Sequence, residues 1–472
     1  VTANGYKIVA DLNENLDTQD GTRYSLKDYD PYAVAMTAGG ILDPTDFTVA
    51  DSKKNTWYML NTNYQGGNSR IVFRNLGTSF KPITVTKGGV SADYSSYEQA
   101  FVEIGRDTGS ATYIITNKIP IEFTQKDAVA LKNLQNASGK TLVFEGGKED
   151  ITKYGDATYG DRYHVRLRQA QIEMPVGANI EFRNITLKYD EGIQTGAHGG
   201  SELVFVGNGN NLIFADGVVF QGADNGDALK AIVYGGGISV DTAAGETEKT
   251  YNSKVIISEN CTATFAAVYG AGTVPQTGDA SIEIKGGTVE KLFGGGRGAD
   301  GILTGNTSIE FTGGNVSAKD IYGGGEGAEV TGNTNIHITA AVRTTQDNRK
   351  SVYGGGADAT VGGNTAIVME LPNQMANANI YFDTISGYGT QSTQTADGAV
   401  TTSLADNVKG TVKSITIKTQ DKTKQGDASV KNLSGFTELS IGHEEEVTGN
   451  FNYSHVTVTE RFDSRPVGNS AD

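Results

Sequence analysis

Residues 305–325 decide the fold: they read Gly-Asn-Thr-Ser-Ile-Glu-Phe at 305–311 and Ile-Tyr-Gly-Gly-Gly at 321–325. The same unit begins again at Gly278, Gly332 and Gly363. An aromatic residue followed by glycines stands at positions 234, 269, 293, 322 and 353, which are 24 to 35 residues apart. A recurrence of this length indicates a repeat architecture in which each unit stacks on the one before it.

Each unit contains three short segments, and the first alternates apolar and polar residues, as in Ile-Glu-Phe at 309–311. This period of two predicts a strand with one buried face. Segments so short and so often interrupted by glycine are not helices of useful length. We therefore predict an all-β parallel β-helix, a solenoid with three short strands per coil.

Stacking of the coils places equivalent side chains above one another. We expect an internal ladder of side-chain amides at one corner of the coil, formed by Asn306, Asn333 and Asn364. We expect a column of stacked rings at another corner, formed by Phe293, Tyr322 and Tyr353. The glycines after each ring are expected to adopt positive φ, where one sheet turns into the next.

The repeat does not cover the whole chain. Residues 1–88 lack it and are expected to form a β-rich N-terminal domain or cap, while the β-helix spans 89–462. Helical spacing of apolar residues near 93–104 predicts a short helical cap on the open core end. Residues 463–472 resemble a linker, and the first residues lack the features of a signal peptide.

Composition limits the classes of partner. The 472 residues carry a formal net charge of −16, which disfavours binding to nucleic acid and anionic lipid and suits divalent cations. No run of about 18 apolar residues is present, so no membrane insertion is expected. Cys261 is the single cysteine, which excludes an intrachain disulfide. We expect a monomer.

Parallel β-helices often belong to enzymes that cleave sugars, so the chain could carry catalytic groups. His198 lies between glycines and Asp224 and Asp227 lie in Asp-Asn-Gly-Asp, and these elements are loosely similar to segments of polygalacturonases. The paired aspartates and the Arg-x-Lys element of that family do not follow, which argues against this chemistry. His337, between two isoleucines, is expected on the outer, solvated face of a strand.

A basic cluster offers a second site. Arg162, Tyr163, Arg166 and Arg168 lie within seven residues, and Arg166 and Arg168 are expected to share one face of a strand. Such a face can bind an acidic sugar, as a calcium-dependent lyase does, or it can be a solvated strand edge.

Oxygen-bearing side chains alternate near the N-terminus at Asp11, Asn13, Asn15 and Asp17, as they do in calcium loops. Leu16 occupies the position where such a loop has glycine, and the closing glutamate is missing. A turn rich in Asp and Asn is the alternative. Calcium is therefore a candidate ligand, and no cofactor is required.

The units at 278–370 resemble the glycine-rich β-helix repeats of large surface proteins of Gram-positive bacteria, and the span of about 90–460 is similar to pectin-lyase-like right-handed β-helices. The resemblance implies an extracellular adhesin segment at the cell surface or cell wall. Our leading hypothesis is a rigid rod that binds host or microbial glycans or glycoproteins. The alternatives are a polysaccharide lyase or glycoside hydrolase acting in a lateral groove, and a structural stalk without its own ligand.

Overall fold

The computed structural model describes most of the chain beyond residue 78, in the ranges 79–147, 164–189, 202–222, 229–312, 320–339, 349–371, 380–394, 399–419, 426–442 and 454–463. Before residue 78 it gives the backbone of seven strands. Strands dominate, many of them pair in parallel, and the described part of the chain contains two α-helices. The all-β class is therefore confirmed.

The chain divides into two units. Unit one contains residues 1–171, 182–203 and 217–229, and unit two contains residues 172–181, 204–216 and 230–472. Domain boundaries at 88 and 462 remain a prediction.

Unit one begins with short strands: β1 (Ile8–Ala10), β2 (Asn15–Asp17), β3 (Arg23–Ser25), β4 (Tyr32–Thr37), β5 (Phe47–Val49), β6 (Trp57–Tyr64) and β7 (Asn68–Asn75). Strand β1 pairs with β5 in parallel, and β2 pairs with β3 in antiparallel. Strand β7 pairs with both β4 and β6 in antiparallel. This segment is therefore rich in β structure.

Strands β8 (Ile83–Lys87) and β9 (Val90–Tyr94) form an antiparallel hairpin, and helix α1 (Tyr97–Arg106) follows. The helix begins later than the predicted 93–104 because the first residues of that window pair in the hairpin. Ser96 marks the start, since its hydroxyl accepts the backbone N–H of Gln99 at 3.1 Å.

Helix α2 (Gln125–Lys132) was not predicted from the sequence. Thr124 and Asp127 form a capping box, in which each side chain bonds the backbone N–H of the other residue. The Asp127 carboxylate also accepts the N–H of Glu98 at 2.8 Å, in the first turn of α1. One buried carboxylate thus satisfies N–H groups at the starts of both helices.

The remaining strands follow in chain order: β10 (Thr112–Asn117), β11 (Ile121–Phe123), β12 (Thr141–Gly146), β13 (Val165–Leu167), β14 (Gln171–Glu173), β15 (Asn179–Arg183), β16 (Thr186–Tyr189), β17 (Glu202–Val206), β18 (Asn211–Phe214), β19 (Val219–Gln221), β20 (Lys230–Tyr234), β21 (Lys249–Thr250), β22 (Ser253–Ile257), β23 (Thr264–Tyr269), β24 (Gln276–Thr277), β25 (Ala280–Ile284), β26 (Thr288–Val289), β27 (Lys291–Phe293), β28 (Leu303–Thr304), β29 (Thr307–Phe311), β30 (Asp320–Tyr322), β31 (Thr334–Thr339), β32 (Lys350–Tyr353), β33 (Thr365–Leu371), β34 (Ile380–Ser386), β35 (Gly389–Gln394), β36 (Val400–Ala405), β37 (Lys413–Thr419), β38 (Gly426–Ser434), β39 (Glu438–Ile441) and β40 (Ser454–Asp463). In unit one, β10 pairs with β8 in antiparallel and with β12 in parallel. Strands β11, β13, β16 and β19 form a four-stranded parallel sheet, which we call the Arg166 sheet.

Three parallel sheets organise unit two. Sheet A runs β18-β22-β25-β29-β31-β33-β37-β39, and sheet B runs β20-β23-β27-β30-β32-β34-β38-β40. Sheet C runs β21-β24-β28 and continues as single-residue bridges through Val330, Val361 and Val408. Between residues 276 and 361, each repeat thus contributes one segment to each sheet.

The repeats are in register. Ile309 pairs with Ile336, and Ile336 pairs with Ile367. Side chains from all three sheets, such as Ile309, Ile321 and Val330, are fully buried. Each such residue contributes about 1.5–3 kcal/mol through burial, so the core is built repeat by repeat.

The glycine after each ring has a different role from the predicted one. Gly294 and Gly323 do not have positive φ, so the expectation for these positions was wrong. A Cβ on Gly294 would lie 2.2 Å from the carbonyl oxygen of Gly323, and one on Gly323 would lie 2.4 Å from that of Gly354. Glycine is needed here because the backbones of neighbouring repeats approach too closely for any side chain.

Candidate functional site

The Arg166 sheet carries a row of polar residues on one face. Register places Glu122, Arg166, Lys188 and Gln221 side by side on β11, β13, β16 and β19. The residues that flank them in each strand are mostly apolar and face the other side of the sheet. Arg166 and Lys188 are 6 % and 4 % exposed, so two adjacent cations are held in fixed positions.

Arg168 extends this row. Its Nε donates to Glu122 Oε1 at 2.7 Å, and its Nη2 contacts the same oxygen. The cluster of Glu122, Arg166, Arg168 and Lys188 therefore contains three cationic groups and one carboxylate. Guanidinium and ammonium groups on one face can recognise carboxylate or sulfate groups of a ligand.

Arg166 lies in β13 and Arg168 directly follows this strand, and a shared face for the two side chains remains a prediction. Arg162, Tyr163, His198, Asp224 and Asp227 lie outside the described residues. They belong to segments that adjoin this sheet along the chain. Residues 190–201 follow β16 in the chain, and residues 223–228 follow β19.

Lys188 and Glu122 were missed by the sequence analysis. A signal was present, since Ile121-Glu122-Phe123, Val165-Arg166-Leu167 and Leu187-Lys188-Tyr189 each place one charged residue between two apolar ones. Nothing in a single strand indicates that the three are neighbours. The pairing register supplies that information.

The predicted calcium ligands are divided. Asp11 and Asn13 lie outside the described residues, whereas Asn15 and Asp17 lie in β2, opposite Ser25 and Arg23 of β3. Among the described residues, no group of three or more His, Cys, Asp or Glu side chains is arranged to hold a metal ion. A calcium site at residues 11–17 remains a prediction.

The asparagine ladder lies on the outside of unit two, not in its interior. The Asn306 Oδ1 accepts the backbone N–H of Asn333 at 2.9 Å, and the Asn333 Oδ1 accepts that of Asn364 at 2.8 Å. All three residues are exposed. The amides bond the backbone of the next repeat instead of each other, because N–H groups at this corner lack sheet partners.

Hydroxyl groups form the internal counterpart of this ladder. The next residue in each repeat is a buried threonine, and its Oγ1 donates to the carbonyl of a glycine about 20 residues further along the chain. The bonds run from Thr307 to Gly323 (2.6 Å), from Thr334 to Gly354 (2.6 Å) and from Thr365 to Gly387 (2.9 Å). Burial of these polar groups is thus compensated.

The rings form a continuous column along sheet B. Successive ring centroids lie 4.7–5.2 Å apart and interplanar angles are 6–18°, in the order Tyr234, Tyr269, Phe293, Tyr322 and Tyr353. The first four rings are buried. Rings at strand spacing stack without distorting the sheet.

Each tyrosine of the column up to Tyr322 contacts, through its phenol, a polar side chain two repeats further along the chain. The contacts join Arg297 Nη1 to the Tyr234 oxygen (3.2 Å), Tyr269 to the Glu326 carboxylate, and Thr390 Oγ1 to the Tyr322 oxygen (3.3 Å). Burial raises the pKa of the Tyr269 phenol, and the Glu326 carboxylate raises it further. The Tyr269 phenol therefore keeps its proton.

Phe293 is the ring of this column without a hydroxyl, and its counterpart two repeats further along differs accordingly. At the same offset of two repeats its neighbour is Ala357, which bridges Glu326 and Thr390 in register and packs against the column. Alanine has no polar group to offer a phenol, and phenylalanine needs none. Each ring and the side chain two repeats further along are thus matched in polarity.

We expect Phe293→Tyr to destabilise unit two by about 1–3 kcal/mol, because the added hydroxyl is buried without a partner. Ala357→Ser in the same chain is expected to restore part of that loss. A double-mutant cycle in urea unfolding measures the coupling, and additive effects of the two changes would contradict the pairing.

Comparison of the chain with protein-family models, with curated proteins and with solved structures yields no match. Within the described ranges, no helix is both long and apolar enough to cross a membrane.

Proposed function

We propose that the chain is part of a right-handed parallel β-helix, displayed at the surface of a Gram-positive bacterium, that binds host or microbial glycans as an adhesin. The single observation that supports binding is the row of Glu122, Arg166 and Lys188 on one face of the Arg166 sheet, with Arg168 beside it. The repeat sheets of unit two support the role of a rigid scaffold.

Acidic glycans are the ligand class that this row favours. The chain carries a net charge of −16, whereas the described side chains of this cluster are three cations and one carboxylate. Neighbouring strands lie about 4.8 Å apart, which spaces the cations along an extended ligand.

Binding of polyuronate and sulfated glycans, measured by calorimetry beside neutral glycans, tests the proposal. We expect Arg166→Gln and Lys188→Gln each to weaken binding about 10- to 100-fold, as loss of a charged hydrogen bond does. Lys285→Gln is the matched control. It removes one positive charge from a lysine that pairs with Glu283 in unit two, and it should bind normally.

Circular dichroism of each variant shows whether the fold is intact. If folded Arg166→Gln bound the glycan with the same affinity as wild type, the binding site would not lie on this face. If neither the wild type nor any variant bound a glycan, the structural stalk would be favoured instead. Repeating the titration with a chelator tests the proposed calcium ligand.

A polysaccharide lyase is the second candidate, and Lys188 beside Arg166 is the observation that favours it. Lyases of acidic sugars need one cation to neutralise the sugar carboxylate and a base to remove the neighbouring proton. Release of unsaturated sugar products from polyuronate, abolished by Lys188→Gln, would establish this activity in place of simple adhesion.

A further inference from the structure

Sheets A and B of unit two each end in a strand with one open edge. Strand β39 pairs with β37 and strand β40 pairs with β38, and no other described strand pairs with either of them. In a parallel ladder, every second residue directs its N–H and C=O groups away from the partner strand. Both edges therefore present backbone groups that a further strand can bind.

The buried rows of the two sheets continue into these last strands. Ile441 pairs with Ile417 in sheet A, and Phe462 pairs with Leu433 in sheet B. Ile417 and Leu433 are fully buried. Ile441 and Phe462 are 46 % and 60 % exposed, although they continue the same rows. The inner side of the last strands is therefore apolar and uncovered.

Strand β40 is self-complementary near its centre. Val456 and Val458 pair with buried residues of β38, so they lie on the inner side of the sheet, with Thr457 between them on the outer side. The order Val-Thr-Val is the same in both directions. An antiparallel copy of the strand, related by a two-fold axis at Thr457, places Val456 of each copy opposite Val458 of the other. Cross-strand pairs of β-branched residues stabilise antiparallel strands.

We propose that a second copy of this chain covers the open edge of sheet B, in a dimer in which the two β40 strands pair in antiparallel. The contact adds one strand to the sheet, as β38 adds to β34 and β40 adds to β38 within the chain. It gives partners to backbone groups of both edges. The dimer replaces the monomer that we expected from the sequence.

Sedimentation equilibrium of the full chain tests the proposal. One chain has a mass of 49.8 kDa. We expect the measured mass to rise towards twice this value as the concentration increases from about 1 to about 100 µM, a range around a micromolar dissociation constant. Hydrogen exchange of residues 454–463 should become slower over the same range, because the edge is covered in the dimer.

Two variants of β40 test the register. Val456→Lys combined with Val458→Lys places like charges opposite each other and should weaken the dimer by at least about 10-fold. Val456→Lys combined with Val458→Glu places opposite charges across the two-fold axis, and it should associate more tightly than the variant with two lysines. Val400→Lys is the matched control, because Val400 is 66 % exposed and lies in β36, outside this edge. Circular dichroism shows whether each variant is folded.

The contrary results are distinct. A mass of one chain at every concentration would overturn the proposal, whether residues 454–463 exchange slowly under another segment or quickly without a cover. Masses well above two chains would indicate a head-to-tail polymer and would overturn it as well. So would a dimer that the two-lysine variant leaves unchanged, or an opposite-charge variant that associates no more tightly than the two-lysine variant.

Discussion

Replacement of Gly323 by alanine is expected to lower the free energy of unfolding by about 3 kcal/mol. The new Cβ would meet the carbonyl oxygen of Gly354 at 2.4 Å and the Thr334 side chain at 2.9 Å. That same carbonyl accepts the Thr334 hydroxyl. Neither neighbour can move away without breaking a buried hydrogen bond, so the strain cannot be relieved locally.

Urea unfolding followed by circular dichroism measures this loss, and hydrogen exchange over residues 320–339 locates it. Gly298→Ala is the matched control. Gly298 has φ +75°, and a Cβ at this residue would have no neighbouring atom within 4 Å, so alanine there meets only backbone strain of about 1–2 kcal/mol. If Gly323→Ala were no worse than this control, close approach of the repeats would not be the reason for glycine.

Removal of the ring at Phe293 is expected to cost about 3–5 kcal/mol, the usual loss for a buried phenylalanine. The ring lies between Tyr269 and Tyr322, with centroids 5.2 Å and 5.0 Å away, and it is 2 % exposed. Phe293→Ala therefore leaves a gap one repeat high and removes two stacking contacts. The neighbouring repeats cannot close the gap because their spacing is set by the hydrogen bonds of sheet B.

The same unfolding measurement applies to Phe293→Ala. Val400→Ala provides a comparison, because Val400 is 66 % exposed and its truncation should change stability by no more than about 0.5 kcal/mol. Phe293→Leu restores most of the volume without the ring and should recover part of the loss. A cost below about 1 kcal/mol for Phe293→Ala would mean that the column does not support the repeats.

The sequence was sufficient for features that recur with the repeat. Alternation around Ile309 and its equivalents predicted the strands of sheet A, and the ring positions predicted neighbours in space, because stacking turns recurrence into contact. The handedness of the coil and its closure belong to the proposed right-handed β-helix. Helix α2 was not predicted because its eight residues are of mixed polarity, so that the capping box at its start is the main sign of a helix.

Features that depend on distances between repeats could not be predicted. Glycine is required at Gly323 because the carbonyl oxygen of Gly354 in the next repeat lies too close for a Cβ. The local dihedral preference of glycine suggested a different reason, which was wrong. The asparagine amides were expected to bond each other, whereas backbone N–H groups compete for the same oxygens. His337 was expected to be an ordinary solvated side chain, because its carboxylate neighbours, Glu310 and Glu370, lie on other strands.

The contacts of the phenols constrain how such a chain can change length. Tyr234, Tyr269 and Tyr322 each reach past one repeat to the next but one. Loss or duplication of a single repeat would therefore give these tyrosines new neighbours, for example a hydroxyl against an alanine. Growth by copying one repeat at a time would need compensating substitutions, whereas copying a block of several repeats would mismatch only the tyrosines at its ends.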